Sequence, residues 1–265
     1  MDRLRAFLFI LITLIIAQPL HAKGNPRINA QAAVLMDAGS GKVLYAKNAF
    51  YAMFPASTTK IMTAVLALEL GKLNAKVPIS IHAATREGTA MNISPGETWT
   101  LQQLLYGLLL SSGNDAAAAI GEYISGSETR FAHLMTEKAW LLGMGTTQFK
   151  NASGLPHEGH YTTAYDLALL TRYAMKKPLF RKIVKTKEIT LNGPGGEVTL
   201  CNHNKLLWRY PYATGVKTGY TTAAGGCLVA TAQKNNVTLI AVVMKTGTIY
   251  DDVQQLLEYG FTQTR

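Results

Sequence analysis

Once the first 22 residues are set aside, short apolar runs separated by turn residues occur near both ends of the chain. Residues 32–37 and 43–46 are mostly apolar and flank the glycine-containing segment 38–42. Residues 227–233 and 237–244 show the same pattern around a short polar turn. Short apolar runs bounded by Gly, Asn and Ser clusters are typical of strands joined in hairpins. The pattern therefore predicts one β-hairpin near each end of the chain.

The middle of the chain has the periodicity of helices instead. Its apolar residues recur at the spacing of one helix face. Thr100 precedes Gln103 by three residues, and Thr163 precedes Asp166 by three, the spacing of a capping box at a helix start. Asp115 can cap the alanine-rich run that follows it. The predicted helices cover residues 61–70, 104–110, 116–124, 130–142, 167–175 and 250–259.

Strands at both ends with helices between them predict an α/β fold of the α+β kind. We expect an antiparallel sheet built from N- and C-terminal strands, packed with helices, beside a mainly helical region. Segments 185–191 and 197–200 read as strands joined by a turn at Pro194, Gly195 and Gly196. No repeat or low-complexity linker divides the sequence, so residues 23–265 are expected to form a single domain.

The first 22 residues differ from the rest. Arg3 and Arg5 precede an unbroken apolar run over residues 6–17, and Leu20-His21-Ala22 fits a small-residue cleavage site. These are the three parts of a secretory signal peptide, with cleavage expected after Ala22. The alternative, a retained transmembrane anchor, needs about 20 apolar residues. Both interpretations predict an exported protein that folds outside the cytoplasm, either soluble or held by an uncleaved signal segment.

Charge and cysteine content narrow the choice of partners. The chain carries a formal net charge of +10, and loss of the signal segment leaves +9. A positive exported protein is attracted to anionic cell-wall polymers or membrane surfaces. The cations are scattered and lack the interleaved aromatic residues of a nucleic-acid groove, so no nucleic-acid partner is expected. Cys201 and Cys227 are the only cysteines, and we expect them to be unpaired.

The stretch FPASTTK contains the first candidate for chemistry. Ser57 and Lys60 are three residues apart at a predicted helix start, so they share one face. Ser57 alone is also a favoured helix cap, and Lys60 alone could be a solvated side chain. A lysine that is partly desolvated near other cations can stay neutral and accept the proton of a serine nucleophile. The helix start also offers a backbone N–H to a developing oxyanion.

Two further segments are ambiguous when taken singly. Ser112-Gly113-Asn114 has turn composition, yet the Ser112 hydroxyl could relay a proton and the Asn114 amide could hold a substrate peptide bond.

Lys217-Thr218-Gly219 can end a strand in a turn glycine. It can also supply an ammonium and a hydroxyl to a substrate carboxylate. On an edge strand, Gly219 would leave room for an extended peptide, and the N–H of Tyr220 would be a second oxyanion donor.

The order Ser-x-x-Lys, Ser-x-Asn, Lys-Thr-Gly resembles that of the penicillin-binding serine peptidases, which share the β-lactamase/DD-peptidase fold. The flanking segments resemble more narrowly the low-molecular-mass D-alanyl-D-alanine carboxypeptidases of peptidase family S11. They are PASTTKIMTA, LLLSSGNDAAAAI, NASGLP, YTTAYDLALL, NHNKLL, GVKTGYTTAAGGCLVATA and LLEYGF, and they span residues 32–261.

The resemblance implies a role for each motif residue. Ser57 would be the acylated nucleophile, Lys60 its general base, Ser112 a proton shuttle and Asn114 a substrate-orienting group. Lys217 and Thr218 would bind the carboxylate, while the N–H groups of Ser57 and Tyr220 form the oxyanion hole. The implied substrate is a peptidoglycan stem peptide ending in D-Ala-D-Ala, with β-lactam antibiotics as inhibitors. No metal or organic cofactor is implied, and His157 and His160 are expected in a surface loop.

Two departures from the family pattern bear on the substrate. Members often carry an arginine before the last helix, near the carboxylate pocket, where this chain has Ile249. Many members also continue into a second β-rich domain and a C-terminal anchor, whereas this sequence stops at Arg265. Asp166 matches a family aspartate, and we expect it to act mainly as a helix cap.

Other activities would use the same motifs. A DD-endopeptidase that cuts peptide cross-links needs no receptor for a free carboxylate, and Ile249 is compatible with it. A β-lactamase of class A uses a glutamate to activate water, and no convincing Glu-x-x-x-Asn occurs between Asn151 and Asp166. A non-catalytic protein that binds β-lactams or peptidoglycan would retain the fold without the reaction.

Overall fold

The computed structural model describes residues 25–264, so the predicted signal peptide and its cleavage site lie outside the described residues. The strands are β1 (Ala32–Asp37), β2 (Val43–Lys47), β3 (Lys76–Pro78), β4 (Thr98–Thr100), β5 (Glu188–Gly193), β6 (Gly196–Cys201), β7 (Ala213–Thr221), β8 (Gly225–Lys234) and β9 (Val237–Thr246). The α-helices are α1 (Lys60–Leu70), α2 (Ile81–Ala84), α3 (Leu101–Leu109), α4 (Asn114–Ser125), α5 (Glu128–Leu141), α6 (Ala164–Ala174), α7 (Pro178–Lys185), α8 (Leu206–Arg209) and α9 (Ile249–Gln263). A 3₁₀ turn, Ala56–Thr59, leads directly into α1.

The main sheet joins the two ends of the chain. Its strand order is β2-β1-β9-β8-β7, and every neighbouring pair is antiparallel. Val242 of β9 pairs with Val34 of β1 on one side and with Val229 of β8 on the other. The predicted antiparallel sheet of N- and C-terminal strands is therefore confirmed, and β7 forms one edge of it.

The two faces of this sheet pack against different helices because successive strand residues point to opposite sides. Val34 and Val242 belong to the larger core, which also contains the buried faces of α1, α3, α4 and α6. Leu35 and Val243 belong to the smaller core beneath α9. A sheet covered by helices on both faces explains why β8 and β9 are apolar along most of their length.

Of the two predicted capping boxes, one is complete in the structure and the other is half formed. Thr100 and Gln103 form the complete capping box of α3, with both reciprocal hydrogen bonds present. At α6 the box is only half formed. Thr163 Oγ1 accepts a hydrogen bond from Asp166 N, but the Asp166 carboxylate accepts from Thr147 Oγ1 and from a neighbouring backbone N–H. Asp166 thus holds the preceding loop as well as sitting in the first turn.

Two local predictions are wrong. Asp115 does not cap α4, which begins at Asn114 without a side-chain cap. The Asp115 carboxylate instead accepts hydrogen bonds from the backbone N–H groups of Met91 and Ile93, which no helix or strand satisfies. The strand predicted from residue 185 starts only at Glu188, because residues 178–185 form helix α7 with Pro178 in its first turn.

Over residues 25–264, no helix has both the length and the apolar character that crossing a bilayer requires. Cys201 is exposed, Cys227 is buried in β8, and both are free thiols.

Candidate active site

The three candidate segments meet at one cleft beside the edge strand β7. The cleft has a volume of about 400 Å³. Its lining comes from the 3₁₀ turn, the loop before α4, the end of β7 and the start of α9: Ser57, Thr89, Ser112, His203, Thr218, Gly219, Tyr220, Gly226, Thr246, Gly247 and Ile249. An edge strand leaves one row of backbone N–H and C=O groups unpaired by the sheet. An extended peptide can therefore lie along β7 within this cleft.

Ser57 is held in the cleft by an unusual backbone conformation. It is half-buried in the 3₁₀ turn, and its side chain makes no capping hydrogen bond. The preceding residue, Ala56, has φ +47°, a left-handed value that costs energy for a residue with a Cβ. Gly154 lies against the carbonyl of Ala56, where a Cβ atom would collide with it. Close packing between these two segments therefore fixes the position of Ser57.

The amine of Lys60 lies between three oxygen atoms. Lys60 Nζ is 3.0 Å from Ser57 Oγ, 2.7 Å from Asn114 Oδ1 and 2.8 Å from the Ser153 carbonyl oxygen. The Lys60 side chain is fully buried. Two of the three partners are carbonyl oxygens, which can only accept hydrogen bonds. A neutral amine would donate its two N–H groups to them and direct its lone pair at the Ser57 hydroxyl.

Burial and a second lysine lower the pKa of Lys60. Desolvation is the larger cause of the fall well below the ordinary lysine value, and the charge of Lys217 adds to it. The carboxylates of Asp115 and Glu128 act in the opposite direction and raise the Lys60 pKa. Burial also lowers the pKa of Lys217 to about 7. Both lysines can therefore lose a proton far more easily than a lysine in water.

Ser112 lines the cleft, and Asn114 is buried behind it at the start of α4. Ser112 has φ +62°, and the Thr89 hydroxyl donates a hydrogen bond to its carbonyl. The amide nitrogen of Asn114 donates to the Glu87 carbonyl at 2.6 Å, while its amide oxygen accepts from Lys60. Ser112 Oγ forms no hydrogen bond with Ser57 or Lys60 among the described contacts, although it lines the same cleft.

The segment Lys217–Tyr220 lies within β7 rather than in a turn. Lys217 is buried, and its amine donates a 3.1 Å hydrogen bond to the Thr218 carbonyl beneath the cleft surface. Thr218 and Gly219 line the cleft, and the Tyr220 side chain is largely exposed beside it. A Cβ atom at Gly219 would stand 2.8 Å from the backbone nitrogen of Ser57. Gly219 therefore lets β7 approach the serine turn closely.

Two contacts near Lys60, one made by a backbone carbonyl and one by a carboxylate, were not predicted from the sequence. The Ser153 carbonyl, within the segment NASGLP, accepts a hydrogen bond from the Lys60 amine. Glu128 Oε1 accepts a hydrogen bond from Ala152 N, so this carboxylate anchors the loop that carries Ser153. A backbone carbonyl has no residue-type signature, so the sequence offered no direct signal for the Ser153 contact.

The expectation for His160 is wrong, because its side chain is buried behind α1. His160 Nδ1 accepts a hydrogen bond from Lys150 N, so Nε2–H is the donor to Thr59 Oγ1 at 3.0 Å. Burial is the main cause that lowers the His160 pKa to about 4, and the charges of His157 and Lys150 contribute. This histidine supports the turn ahead of Lys60. His157 is exposed, as expected.

Ile249 lines the cleft at the start of α9. Its Cγ2 atom lies beside Gly226, where a Cβ on residue 226 would come within 2.8 Å of it. An apolar side chain therefore occupies this part of the cleft wall.

Solved structures with this fold define the class to which the protein belongs. A putative penicillin-binding protein homologue from Mycobacterium tuberculosis is 33% identical, with a TM-score of 0.87, over 92% of this chain and 95% of that one. A variant of the Streptomyces K15 DD-transpeptidase is 34% identical, with a TM-score of 0.84, over 89% of this chain and 99% of that one. The chain thus has the fold of penicillin-binding proteins and DD-peptidases.

Sequence comparison identifies the family. The model of the D-alanyl-D-alanine carboxypeptidase family, peptidase S11, matches residues 20–248. D-alanyl-D-alanine carboxypeptidase DacF of Bacillus subtilis is 42% identical over 88% of this chain, which spans 62% of that protein's length. DacB2 of M. tuberculosis is 35% identical over 92% of this chain and 86% of that protein. The chain belongs to the S11 peptidase family, which confirms the family and fold predicted from the motifs.

Proposed function

We propose that this protein is a serine-type D-Ala-D-Ala carboxypeptidase that removes the terminal D-alanine of peptidoglycan stem peptides. The hydrogen bonds of Lys60 are the observation that carries this proposal. Because Asn114 and Ser153 supply only acceptors, the neutral amine has a single direction left for its lone pair, toward Ser57 Oγ. A buried lysine with a lowered pKa is the kind of base that activates a serine hydroxyl.

The acylation step follows from this arrangement. Lys60 takes the proton of Ser57 Oγ, and the oxygen attacks the carbonyl carbon between the two D-alanines. The N–H groups of Ser57 and Tyr220 stabilise the negative charge that forms on the carbonyl oxygen. The C–N bond then breaks, and Ser112 passes a proton from Lys60 to the departing amine of the last D-alanine.

Deacylation restores the enzyme by the same route. Water attacks the ester on Ser57 and gives one proton to Lys60. The bond from the acyl carbon to Ser57 Oγ then breaks, Lys60 returns the proton to Ser57 Oγ, and the shortened peptide leaves with a new carboxyl group. Asn114 orients the substrate's peptide bond during both steps. β-Lactams enter the same cycle, because ring opening acylates Ser57 and leaves an ester that hydrolyses slowly.

Substrate binding uses the edge of β7. The stem peptide extends along this strand and pairs with its free backbone groups. Its terminal carboxylate lies over Thr218, with the Lys217 ammonium beneath, and Gly219 keeps the Ser57 N–H accessible. The mature chain, residues 23–265, acts as one catalytic domain outside the cytoplasm after removal of its signal peptide. Its positive charge favours association with the anionic cell envelope.

Cleavage of peptide cross-links is the second candidate function. Ile249 favours it, since an apolar residue at the cleft wall adds no cation for a free carboxylate. A cross-linked peptide has no free carboxylate at this position and needs none.

One experiment separates the two activities. The purified protein is incubated with a stem pentapeptide and, in parallel, with cross-linked muropeptides, and Ser57→Ala is the control. Release of D-alanine from the pentapeptide without cleavage of the cross-links supports the carboxypeptidase. Cleavage of the cross-links alone supports the endopeptidase. Absence of both, with Ser57→Ala indistinguishable from the wild type, rejects the catalytic proposal.

A further inference from the structure

A second groove lies at the far end of the five-stranded sheet. It has a volume of about 550 Å³ and is bounded by the β1–β2 turn, the end of α6, α7 and the β8–β9 hairpin. On β8, Gly226 lines the active-site cleft and Gln233 lines this groove. Seven residues of extended strand separate these two positions by roughly 23 Å. The groove is therefore not an extension of the active-site cleft.

Five cations line this groove and no acidic side chain does. They are Arg172, Lys176, Arg181, Lys182 and Lys185, and together they define what we call the basic groove. Within residues 25–264, none of the five takes part in an ion pair.

Lys177, which follows Lys176 in the sequence, does have an acidic partner, unlike the five groove cations. It points away from the groove and pairs with Glu69 at 2.6 Å. The nearby carboxylate of Asp37 is already engaged by the backbone N–H and hydroxyl of Ser40. Among the residues that the structure describes, no carboxylate pairs with the cations of the groove.

Neutral backbone groups hold two of these cations in place. Arg172 donates to the carbonyls of Ala38 and Gly39 at 2.9 and 2.7 Å, and Arg181 donates to the Met175 carbonyl at 2.7 Å. A carbonyl partner orients a guanidinium without cancelling its charge. Each guanidinium has five N–H donors, so donors remain for a ligand in a fork that suits phosphate or carboxylate oxygens.

Helix α7 concentrates positive charge on its exposed face. Phe180, Ile183 and Val184 form its buried face, so the cations occupy the exposed one. Arg181 and Lys185 are four residues apart, and like charges at this spacing destabilise a helix. The helix dipole favours Lys182 and Lys185 in the last turn, but Arg181 lies too early in the helix to benefit, and no acidic side chain lines the groove beside it.

We propose that the basic groove binds a phosphodiester-linked polyanion of the cell envelope and tethers the enzyme to it. A phosphodiester keeps its charge at every physiological pH and presents two oxygens to a guanidinium fork. Met175 and Pro178 supply an apolar wall for the carbon segments between phosphates. Arg172 is half-buried in this concave groove, whose shape suits a flexible chain better than a flat bilayer. This proposal goes beyond the peptidase reaction and does not depend on it.

Calorimetric titration with a synthetic poly(glycerol phosphate) oligomer tests the groove. Combined Arg181→Gln, Lys182→Gln and Lys185→Gln substitutions remove three of its cations, and affinity should fall roughly tenfold with a shallower salt dependence. Thermal unfolding of the same variant checks that it remains folded. Ser57→Ala should bind the oligomer as the wild type does, so failure of the peptidase proposal leaves this test intact.

A second triple variant distinguishes binding in the basic groove from general electrostatic attraction to the positively charged protein. Lys72→Gln, Lys76→Gln and Arg130→Gln remove the same charge from exposed positions elsewhere and should leave the affinity within about twofold. Equal weakening by both triple variants would overturn the proposal in favour of net charge. Groove-dependent binding to phosphatidylglycerol vesicles without binding to the oligomer would overturn it in favour of membrane docking. Absence of any binding to the oligomer would also overturn it.

Discussion

Gly219 lies so close to Ser57 that a Cβ atom at residue 219 would stand 2.8 Å from the Ser57 backbone nitrogen. The same Cβ would be 3.2 Å from the carbonyl oxygen of Pro55. A side chain at residue 219 would therefore either cover the Ser57 N–H or push β7 away from the serine turn. Both changes would disturb the proposed oxyanion hole.

Gly219→Ala tests this relationship. Acylation by a peptide or a β-lactam should slow roughly a hundredfold, the usual effect of losing one oxyanion donor. Gly195→Ala is the matched control, since a Cβ at that turn glycine meets no atom within 4 Å. Stopped-flow acylation rates give the readout, with thermal unfolding as a check on folding. Unchanged acylation in a folded Gly219→Ala variant would contradict the role assigned to this contact.

Lys60→Arg tests whether the base must be neutral. Arginine stays protonated at every accessible pH, so this variant should lose acylation by a factor of roughly 10² to 10⁴ throughout the pH range. In the wild type, the acylation rate should rise with pH and then level off. The midpoint of this rise should lie well below the ordinary lysine pKa. Lys72→Arg, an exposed lysine on the same chain, serves as control. Wild-type rates that do not respond to pH would speak against Lys60 as the proton acceptor.

Because the pKa of Lys217 is lowered, substrate binding should weaken at alkaline pH. Burial lowers its pKa to about 7, so the free enzyme carries an ammonium here below that pH and a neutral amine above it. Because a neutral amine attracts a carboxylate only weakly, the KM for a peptide ending in D-Ala-D-Ala should increase as pH rises through about 7. An analogue with an esterified C-terminus should show no such increase. Identical pH profiles of KM for both substrates would contradict carboxylate binding over Lys217.

Removing the charge of Glu128 should shift the acidic limb of the pH profile of kcat/KM. Its carboxylate anchors Ala152 N and raises the Lys60 pKa. Glu128→Gln keeps an oxygen acceptor but removes the charge, so the acidic limb of kcat/KM should move to lower pH with its plateau largely retained. Glu128→Ala removes the anchor as well and should lower the plateau. A limb that stays in place or moves to higher pH in Glu128→Gln would show that the carboxylate does not act on Lys60.

The sheet and the main helices could be predicted from sequence because local patterns determine them. The run at β9 is apolar, ends in turn residues and pairs with the equally apolar β8. The capping box at Thr100 lies within four consecutive residues, so its two hydrogen bonds were predictable from spacing alone. Helix α7 was missed because it is only eight residues long and mixes three basic residues with its apolar ones, so its buried face is recognised only in contact with the core.

The site was predictable in its residue types and less so in its geometry. The motifs identified Ser57 and Lys60 as neighbours, and their atoms lie 3.0 Å apart. The Ser153 carbonyl could not be foreseen, because any residue can present a backbone oxygen. His160 was expected in a surface loop together with His157. Tertiary packing against Phe149 and Thr59 buries it instead.

The mass of the intact protein after incubation with penicillin tests the central claim most directly. The proposed cycle predicts one covalent adduct with the full mass of the antibiotic, located by peptide mapping on the fragment that contains Ser57. The adduct should be absent from Ser57→Ala and should form very slowly in Lys60→Arg. An unmodified wild-type protein, or an adduct of equal yield in Ser57→Ala, would contradict Ser57 as the nucleophile.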